Sequence, residues 1–218
     1  MSNDENLTIK QQREKRRAEK VAALKAKQER EKRRNLIAIG SAVVGALAVI
    51  AIVVSIVVTS AQPEVDPADI DIAGLETFEG LEPAHVEGVV DYEQSPPAGG
   101  PHNPAWLNCG IYEQEVTPEN AVHSLEHGAA WVTYNPAEVT EDELNALRDE
   151  MPSTYVILSP IDGLEAPVVA SAWGYQVQLD GVDDPRLDDF LTKYRLSPDA
   201  PEPGALCSGA IDGPGKIA

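Results

Sequence analysis

The sequence predicts an α+β protein: a single transmembrane helix followed by one small extracytoplasmic domain with a mainly antiparallel sheet and short helices. Residues 1–35 contain 12 Lys and Arg against 6 Asp and Glu. The whole chain has 17 basic and 36 acidic residues, so the part after residue 35 carries 5 basic against 30 acidic ones. Between these halves, residues 36–59 contain no charge. Strand-like and short helical patterns then follow in no strict βαβ order, which is typical of α+β domains.

The uncharged segment has the length of a membrane span. Its 24 residues would form a helix of about 36 Å, against a hydrocarbon core of about 30 Å. A buried helix of a soluble protein would need a large domain around it, which the charged flanks do not supply. A cleaved signal peptide is the other alternative, since Thr59-Ser60-Ala61 resembles a cleavage site. The long basic region and long apolar run favour an uncleaved anchor over residues 36–60.

The flanking charges predict the orientation at the cell membrane. Basic residues precede the span and acidic residues follow it, so the positive-inside rule places the N-terminus in the cytoplasm and the rest outside. Membrane lipid is the expected partner of the anchor and of the basic tail. A net charge of −19 argues against nucleic-acid binding. The predicted organisation is a basic helical tail (1–35), the span (36–60), a flexible acidic linker (61–84), the α+β domain (85–208) and a tail (209–218).

Local signals predict the elements of the outer domain. Thr117-Pro118-Glu119 has the form of an N-cap, an N1 proline and an acidic first turn, and Gly128 stands where a C-cap glycine belongs. Thr140 and Glu143 form a capping-box pattern. The expected elements are a strand over 85–92, a rigid Pro/Gly-rich loop over 95–104, a helix over 118–127, a strand over 129–134, a helix over 140–151, strands over 155–158 and 167–179, the latter with a bend near Gly174, and a helix over 184–195.

The chain has two cysteines, Cys109 and Cys207. Outside the cytoplasm such a pair is expected to form a disulfide. Closing a loop of about one hundred residues would stabilise the fold by roughly 4 kcal/mol in the chain-entropy treatment. A pair of thiolate ligands for a metal ion is the alternative interpretation.

The four histidines all lie after the predicted span. On a helix, His123 and His127 would project from one face together with Glu126, because residues four apart lie one above the other. Such a pair can bind one metal ion through both rings. His102, in the proline-stiffened loop, is the natural third ligand and His85 a possible fourth. Imidazole-rich ligation suits Zn²⁺ or Cu²⁺.

The spacing His123-x-x-Glu126-His127 also matches an inverted zinc-peptidase motif, in which the glutamate activates water. This match is short, and the helix is expected to end at Gly128, whereas such enzymes embed the motif in a longer helix. A catalytic Glu126 is therefore an alternative, and an enzyme is the less favoured class. The histidines and Glu126 could also be hydrogen-bonded structural groups without a metal.

Several separated runs resemble one bacterial family, the domain-of-unknown-function family numbered 3105. They are Pro96-Pro97-Ala98-Gly99-Gly100-Pro101-His102, Asn108-Cys109-Gly110-Ile111-Tyr112, Val122-His123-Ser124-Leu125-Glu126-His127-Gly128 and Ala172-Trp173-Gly174. The resemblance implies a membrane-anchored extracytoplasmic domain. It carries over His102, His123, Glu126 and His127 as the polar signature and Cys109 as the first cysteine. It departs at Ala98-Gly99, where a Ser or Thr before the glycine is common, and it supplies no activity.

Three classes of function remain open. The favoured one is a membrane-anchored accessory protein with a His-rich Zn or Cu site that assists a membrane complex, such as a respiratory complex. The second is a zinc-dependent hydrolase with Glu126 as the base. The third is a structural envelope protein without a metal.

Overall fold

The computed structural model describes residues 9–60 and 66–217. The chain divides into two compact units, residues 1–64 and 65–218. The described residues of the first unit form one long helix, α1 (Ile9–Ser60). Those of the second form a turn of 3₁₀ helix (Pro67–Asp69), three α-helices and six strands.

Helix α1 covers most of the predicted tail and all of the predicted span. Among the side chains that the structure describes, no stretch of helix is both apolar enough and long enough to cross a membrane. Within the predicted span of 36–60, the side chains of 38, 41–44, 46–48 and 53–60 lie outside the described ones. The transmembrane anchor and the orientation stay predictions.

The second unit is built on one mixed sheet of six strands in the order β1-β6-β5-β3-β4-β2. Three neighbouring pairs are antiparallel, β1–β6, β6–β5 and β5–β3, while β3–β4 and β4–β2 are parallel. The sheet is therefore mixed, with antiparallel pairs in the majority, and the α+β class is confirmed. The strands are β1 (Glu76–Thr77), β2 (Gly110–Ile111), β3 (Ala130–Tyr134), β4 (Val156–Pro160), β5 (Val168–Ala172) and β6 (Tyr175–Leu179).

Helices cover both faces of this sheet. Alternate residues of β3 point to opposite faces, as the strand period of two requires. Val132 joins one apolar cluster with α3 (Glu141–Glu150) and α4 (Arg186–Tyr194). Trp131 joins a second cluster with α2 (Pro118–Glu126). Helix α2 contains His123 and is capped by His127. Among the described helices, it is the one that packs on this face of the sheet.

The helix ends agree with the capping signals. Pro118 is at N1 of α2, and Gly128 follows the helix with a φ of +91°, a conformation that glycine adopts at little cost. Thr140 and Glu143 form the predicted capping box, with both reciprocal hydrogen bonds present. These helices were predictable because each end depends on residues within one turn.

Two strand predictions need correction. Residues 85–92 form no strand; His85 makes a single isolated bridge to His102, and Gly88 turns the chain with a φ of +98°. The predicted strand over 167–179 is two antiparallel strands, because the chain reverses at Trp173-Gly174, where Gly174 has a φ of +79°.

Residues 66–84, which the sequence assigned to a flexible linker, are part of the folded unit. Ile70 and Ile72 are buried in the same apolar cluster as α4, and β1 pairs with β6. Alternation of Ile with Asp allows an extended segment to bury one side and solvate the other. Residues 61–65 lie outside the described part of the chain.

Residues 209–217, which the sequence assigned to a tail, also pack against the rest of the second unit. Ile211 bridges to Leu107 and Lys216 bridges to Tyr112. Cys109 and Cys207 form the predicted disulfide, and the amide of Cys109 donates to the carbonyl of Cys207 at 2.7 Å. The segment around Cys207 is thereby held next to the start of β2.

Candidate metal centre

The site is built around the C-terminal end of α2. His123 and Glu126 lie on the helix and His127 is its C-cap residue. All three are buried, each with 4 % of its surface exposed. Ala121 and Leu125 face the apolar cluster with Trp131, so the apolar face seats the helix and the polar face is left for the site.

The Pro/Gly-rich loop delivers a third imidazole. His102 is fully buried, and its Nε2 lies 3.0 Å from Oε2 of Glu126. The bridge between His102 and His85 brings the fourth ring to the same place. The Nε2 atoms of His85 and His123 both lie 3.7 Å from Oε2 of Glu126. One carboxylate oxygen is therefore surrounded by three imidazoles.

Backbone carbonyls fix the orientation of three histidines. Nδ1 of His102 lies 2.8 Å from the carbonyl of Gly100, Nδ1 of His123 lies 2.7 Å from that of Asn103, and Nδ1 of His127 lies 2.6 Å from that of Leu206. A carbonyl oxygen only accepts, so each Nδ1 must carry the hydrogen. In the neutral ring, Nε2 then holds a lone pair that points into the cluster.

This assignment creates two contacts between electron-pair donors. Nε2 of His123 lies 3.0 Å from Nε2 of His127, and Nε2 of His102 lies 3.0 Å from a Glu126 oxygen. Each contact is repulsive unless a proton or a metal ion lies between the two atoms. Histidines that bind metals characteristically donate their other N–H to a carbonyl or carboxylate, as these rings do.

The surroundings favour the uncharged form of His123. Burial lowers its pKa from the ordinary value, and the carbonyl of Asn103 opposes this effect. The neighbouring His127 and His102 lower the pKa as well, while Glu126 raises it. A metal ion binds the neutral imidazole, so the site keeps this ring in the state that a ligand needs.

The spacing of the donor atoms suits a single small cation. One donor atom from each of His85, His102, His123 and Glu126 lies within 4.8 Å of the others. Bonds of about 2.0–2.1 Å in a tetrahedral site put the ligand atoms about 3.3 Å apart. The three measured distances to Oε2 of Glu126, one of 3.0 Å and two of 3.7 Å, lie on either side of this value.

Two tryptophans line the cluster. The ring of Trp106 lies 5.2 Å from His127 and 5.8 Å from His123, and the ring of Trp173 meets His102 edge-on at 5.7 Å. These large apolar surfaces exclude water from the rings and strengthen any electrostatic interaction among them. The side chain of His85 is 50 % exposed, so it forms the side of the cluster that solvent reaches.

The sequence did not indicate that Glu202, Trp106 and Trp173 lie beside the histidines. Oε2 of Glu202 lies 3.7 Å from Nε2 of His127, although the two residues are far apart in the chain. The predicted disulfide could have indicated the position of Glu202, because it ties the segment that precedes Cys207 to Cys109. Glu119, which shares a face of α2 with the histidines, instead accepts a hydrogen bond from the amide of Val90 at 2.8 Å.

The position of Glu126 bears on the hydrolase alternative. A general base must reach the water or substrate that it deprotonates. The carboxylate of Glu126 is buried and in hydrogen-bonding range of His102, in the middle of the imidazoles. This arrangement favours a ligand or counter-charge over a base beside the metal.

The profile of one protein family, described as a protein of unknown function (DUF3105), matches residues 85–209, more than half of the 218 residues. The chain belongs to the DUF3105 family. The DUF3105 match contains all four histidines, Glu126, Glu202 and both cysteines. Residues 66–84, which pack on the same sheet, precede it. No curated protein and no solved structure matches the chain.

Proposed function

We propose that this DUF3105 protein is a membrane-anchored, extracytoplasmic accessory protein that binds Zn²⁺ or Cu²⁺. The ligands are His85, His102, His123 and Glu126, with His127 beside them. The main support is the orientation of His102, His123 and His127. Their Nδ1 atoms donate to backbone carbonyls, which leaves their Nε2 atoms directed into the cluster. Without a proton or a metal ion between the paired atoms, two close contacts between lone pairs would be left uncompensated.

The donor set supports the choice of metal. Imidazole nitrogens with one carboxylate suit Zn²⁺ and Cu²⁺, while Mg²⁺ and Ca²⁺ prefer oxygen ligands. The chain has only two methionines, Met1 and Met151, so it lacks the thioether-rich set typical of a Cu⁺ carrier.

The charge pattern supports the location. A basic segment, an uncharged one of 24 residues and an acidic remainder are typical of a single-pass protein with its N-terminus in the cytoplasm. The disulfide fits an oxidising compartment. A membrane complex with a metal centre outside the cytoplasm, such as a respiratory complex, is the client that we propose.

Metal binding by the full-length chain in mild detergent tests the proposal. We expect bound Zn or Cu in the native protein and affinity tighter than micromolar. Glu126→Gln should weaken binding by at least about tenfold, as losses around metal sites typically do. Glu119→Gln is the matched control, since Glu119 is buried on the same helix but contacts Val90.

Two results would contradict metal binding. One is native protein without Zn or Cu that also binds neither at micromolar concentration, and the other is equal binding by the Glu126 and Glu119 variants. The histidines would then be a structural polar cluster.

Association with a membrane complex needs a separate experiment. Gentle detergent extraction of the native membrane should recover a partner at fixed stoichiometry with the full-length chain. A monomer without a partner under these conditions would argue against the accessory role and leave the metal site unaffected.

A further inference from the structure

A second group of metal-binding side chains adjoins the first. Donor atoms of Glu126, His127 and Glu202 lie within 4.8 Å of one another. Nε2 of His127 lies 3.7 Å from Oε2 of Glu202. Glu126 belongs to both groups, and a carboxylate has two oxygens with which to contact two cations.

The backbone before Cys207 holds Glu202 against the end of α2. The amide of Glu202 donates to the carbonyl of Glu126 at 3.0 Å, and the amide of Gly204 donates to that of His127 at 3.0 Å. These bonds satisfy carbonyls that a helix end leaves without a partner inside the helix. The position of Glu202 is thus set by main-chain bonds rather than by chance contact of a surface side chain.

Each group contains one ligand that solvent reaches, and in the first group this is His85, whose side chain is 50 % exposed. His102, His123 and Glu126 are buried. The side chain of Glu202 is 58 % exposed, while that of His127 is 5 % exposed. The second group therefore has two buried ligands, Glu126 and His127, and one at the surface, Glu202.

Electrostatics favour a cation at the second group. Nδ1 of His127 donates to the carbonyl of Leu206, so its Nε2 has a lone pair to offer. Two carboxylates flank this nitrogen, and the group of three contains no basic side chain other than the imidazole itself. Histidine with carboxylates is a ligand set found for zinc in enzymes.

We infer that the site has two cation positions that share Glu126. The first uses His85, His102 and His123, and the second uses His127 and Glu202. This inference rests on the proposed metal binding and deepens it, because it adds a second ion of the same class. Known two-metal sites place their ions about 3.5–4 Å apart, a separation that a shared carboxylate can span.

Titration of the full-length chain in detergent with Zn²⁺ near neutral pH tests the inference. The wild-type chain should saturate at two ions, the second one bound through Glu202. Glu202→Gln should keep the tighter ion and weaken the other by at least about tenfold. Glu150→Gln is the control, since Glu150 is an exposed glutamate at the end of α3, which covers the other face of the sheet.

The outcomes separate the two proposals. Saturation of the wild type at one ion overturns the second position and leaves the proposed function standing. Two ions with equal affinity in wild type and Glu202→Gln also overturn it. Absence of any bound ion overturns both proposals. Because Glu202 is largely exposed, its substitution tests binding without removing a core contact.

Discussion

Glycine at position 99 is required by both the backbone and the packing of the loop that carries His102. Its φ is +139°, where side chains are rarely tolerated. A Cβ atom there would lie 2.8 Å from Cδ1 of Leu81 and 3.2 Å from Cδ2 of Trp173. The family motif before His102 thus has a steric explanation at this residue.

Gly99→Ala should therefore destabilise the protein by about 2–6 kcal/mol, since strained φ and overpacking each cost about 1–3 kcal/mol. Gly163→Ala is the matched control, because Gly163 has a φ of +75° but a Cβ atom added to it would meet no atom within 4 Å. Its cost should be about 1–2 kcal/mol. Denaturant unfolding of both variants measures the difference; equal losses would show that packing around Gly99 is not limiting.

At the scale of elements, helices with explicit caps were predictable and weakly patterned strands were not. Helices α2, α3 and α4 lie within two residues of the expected bounds. The short strands β1 and β2 have two residues each, too few for a period-two pattern. β1 pairs with β6 and β2 pairs with β4, each far away in the chain. The residues next to β1 and β2 therefore do not indicate these pairings.

The two N-cap threonines give a direct comparison. Thr140 accepts a hydrogen bond from the amide of Glu143 and donates to its carboxylate, whereas Thr117 makes no side-chain capping bond. Thr140→Ala should cost about 1 kcal/mol of unfolding free energy, and Thr117→Ala less than about 0.5 kcal/mol. Urea titration of both variants checks this, and a larger loss at Thr117 would refute the assigned cap.

At the scale of the whole molecule, the disulfide connects the fold to the candidate site. Cys207 directly follows Leu206, whose carbonyl holds His127, and it lies shortly after Glu202 in the chain. Helix geometry and the family resemblance predicted that His102, His123, Glu126 and His127 belong to one site. The sequence does not indicate the positions of Glu202 and of the Leu206 carbonyl, because these depend on the tertiary path of the last segment.

Replacing both cysteines with serine should lower the free energy of unfolding by about 2–5 kcal/mol, because the bridge closes a loop with a sequence separation of 98. It should also weaken metal binding, since the segment that holds His127 loses its covalent tie. Denaturant unfolding and Zn²⁺ titration of the double variant measure the two effects. Unchanged stability, or metal affinity equal to the wild type, would contradict the corresponding effect.

The support of the imidazoles by main-chain carbonyls has a consequence for mutation. Every amino acid has a carbonyl, so exchanging the side chain of Asn103 or Leu206 leaves the acceptor for His123 or His127 in place. Ring orientation therefore depends on the course of the loops, which the side chain of Asn103 also supports by accepting a hydrogen bond from the amide of Ala105 at 2.9 Å. Leu206, whose side chain is largely exposed, is therefore the position where we expect substitutions to leave the geometry of His127 unchanged.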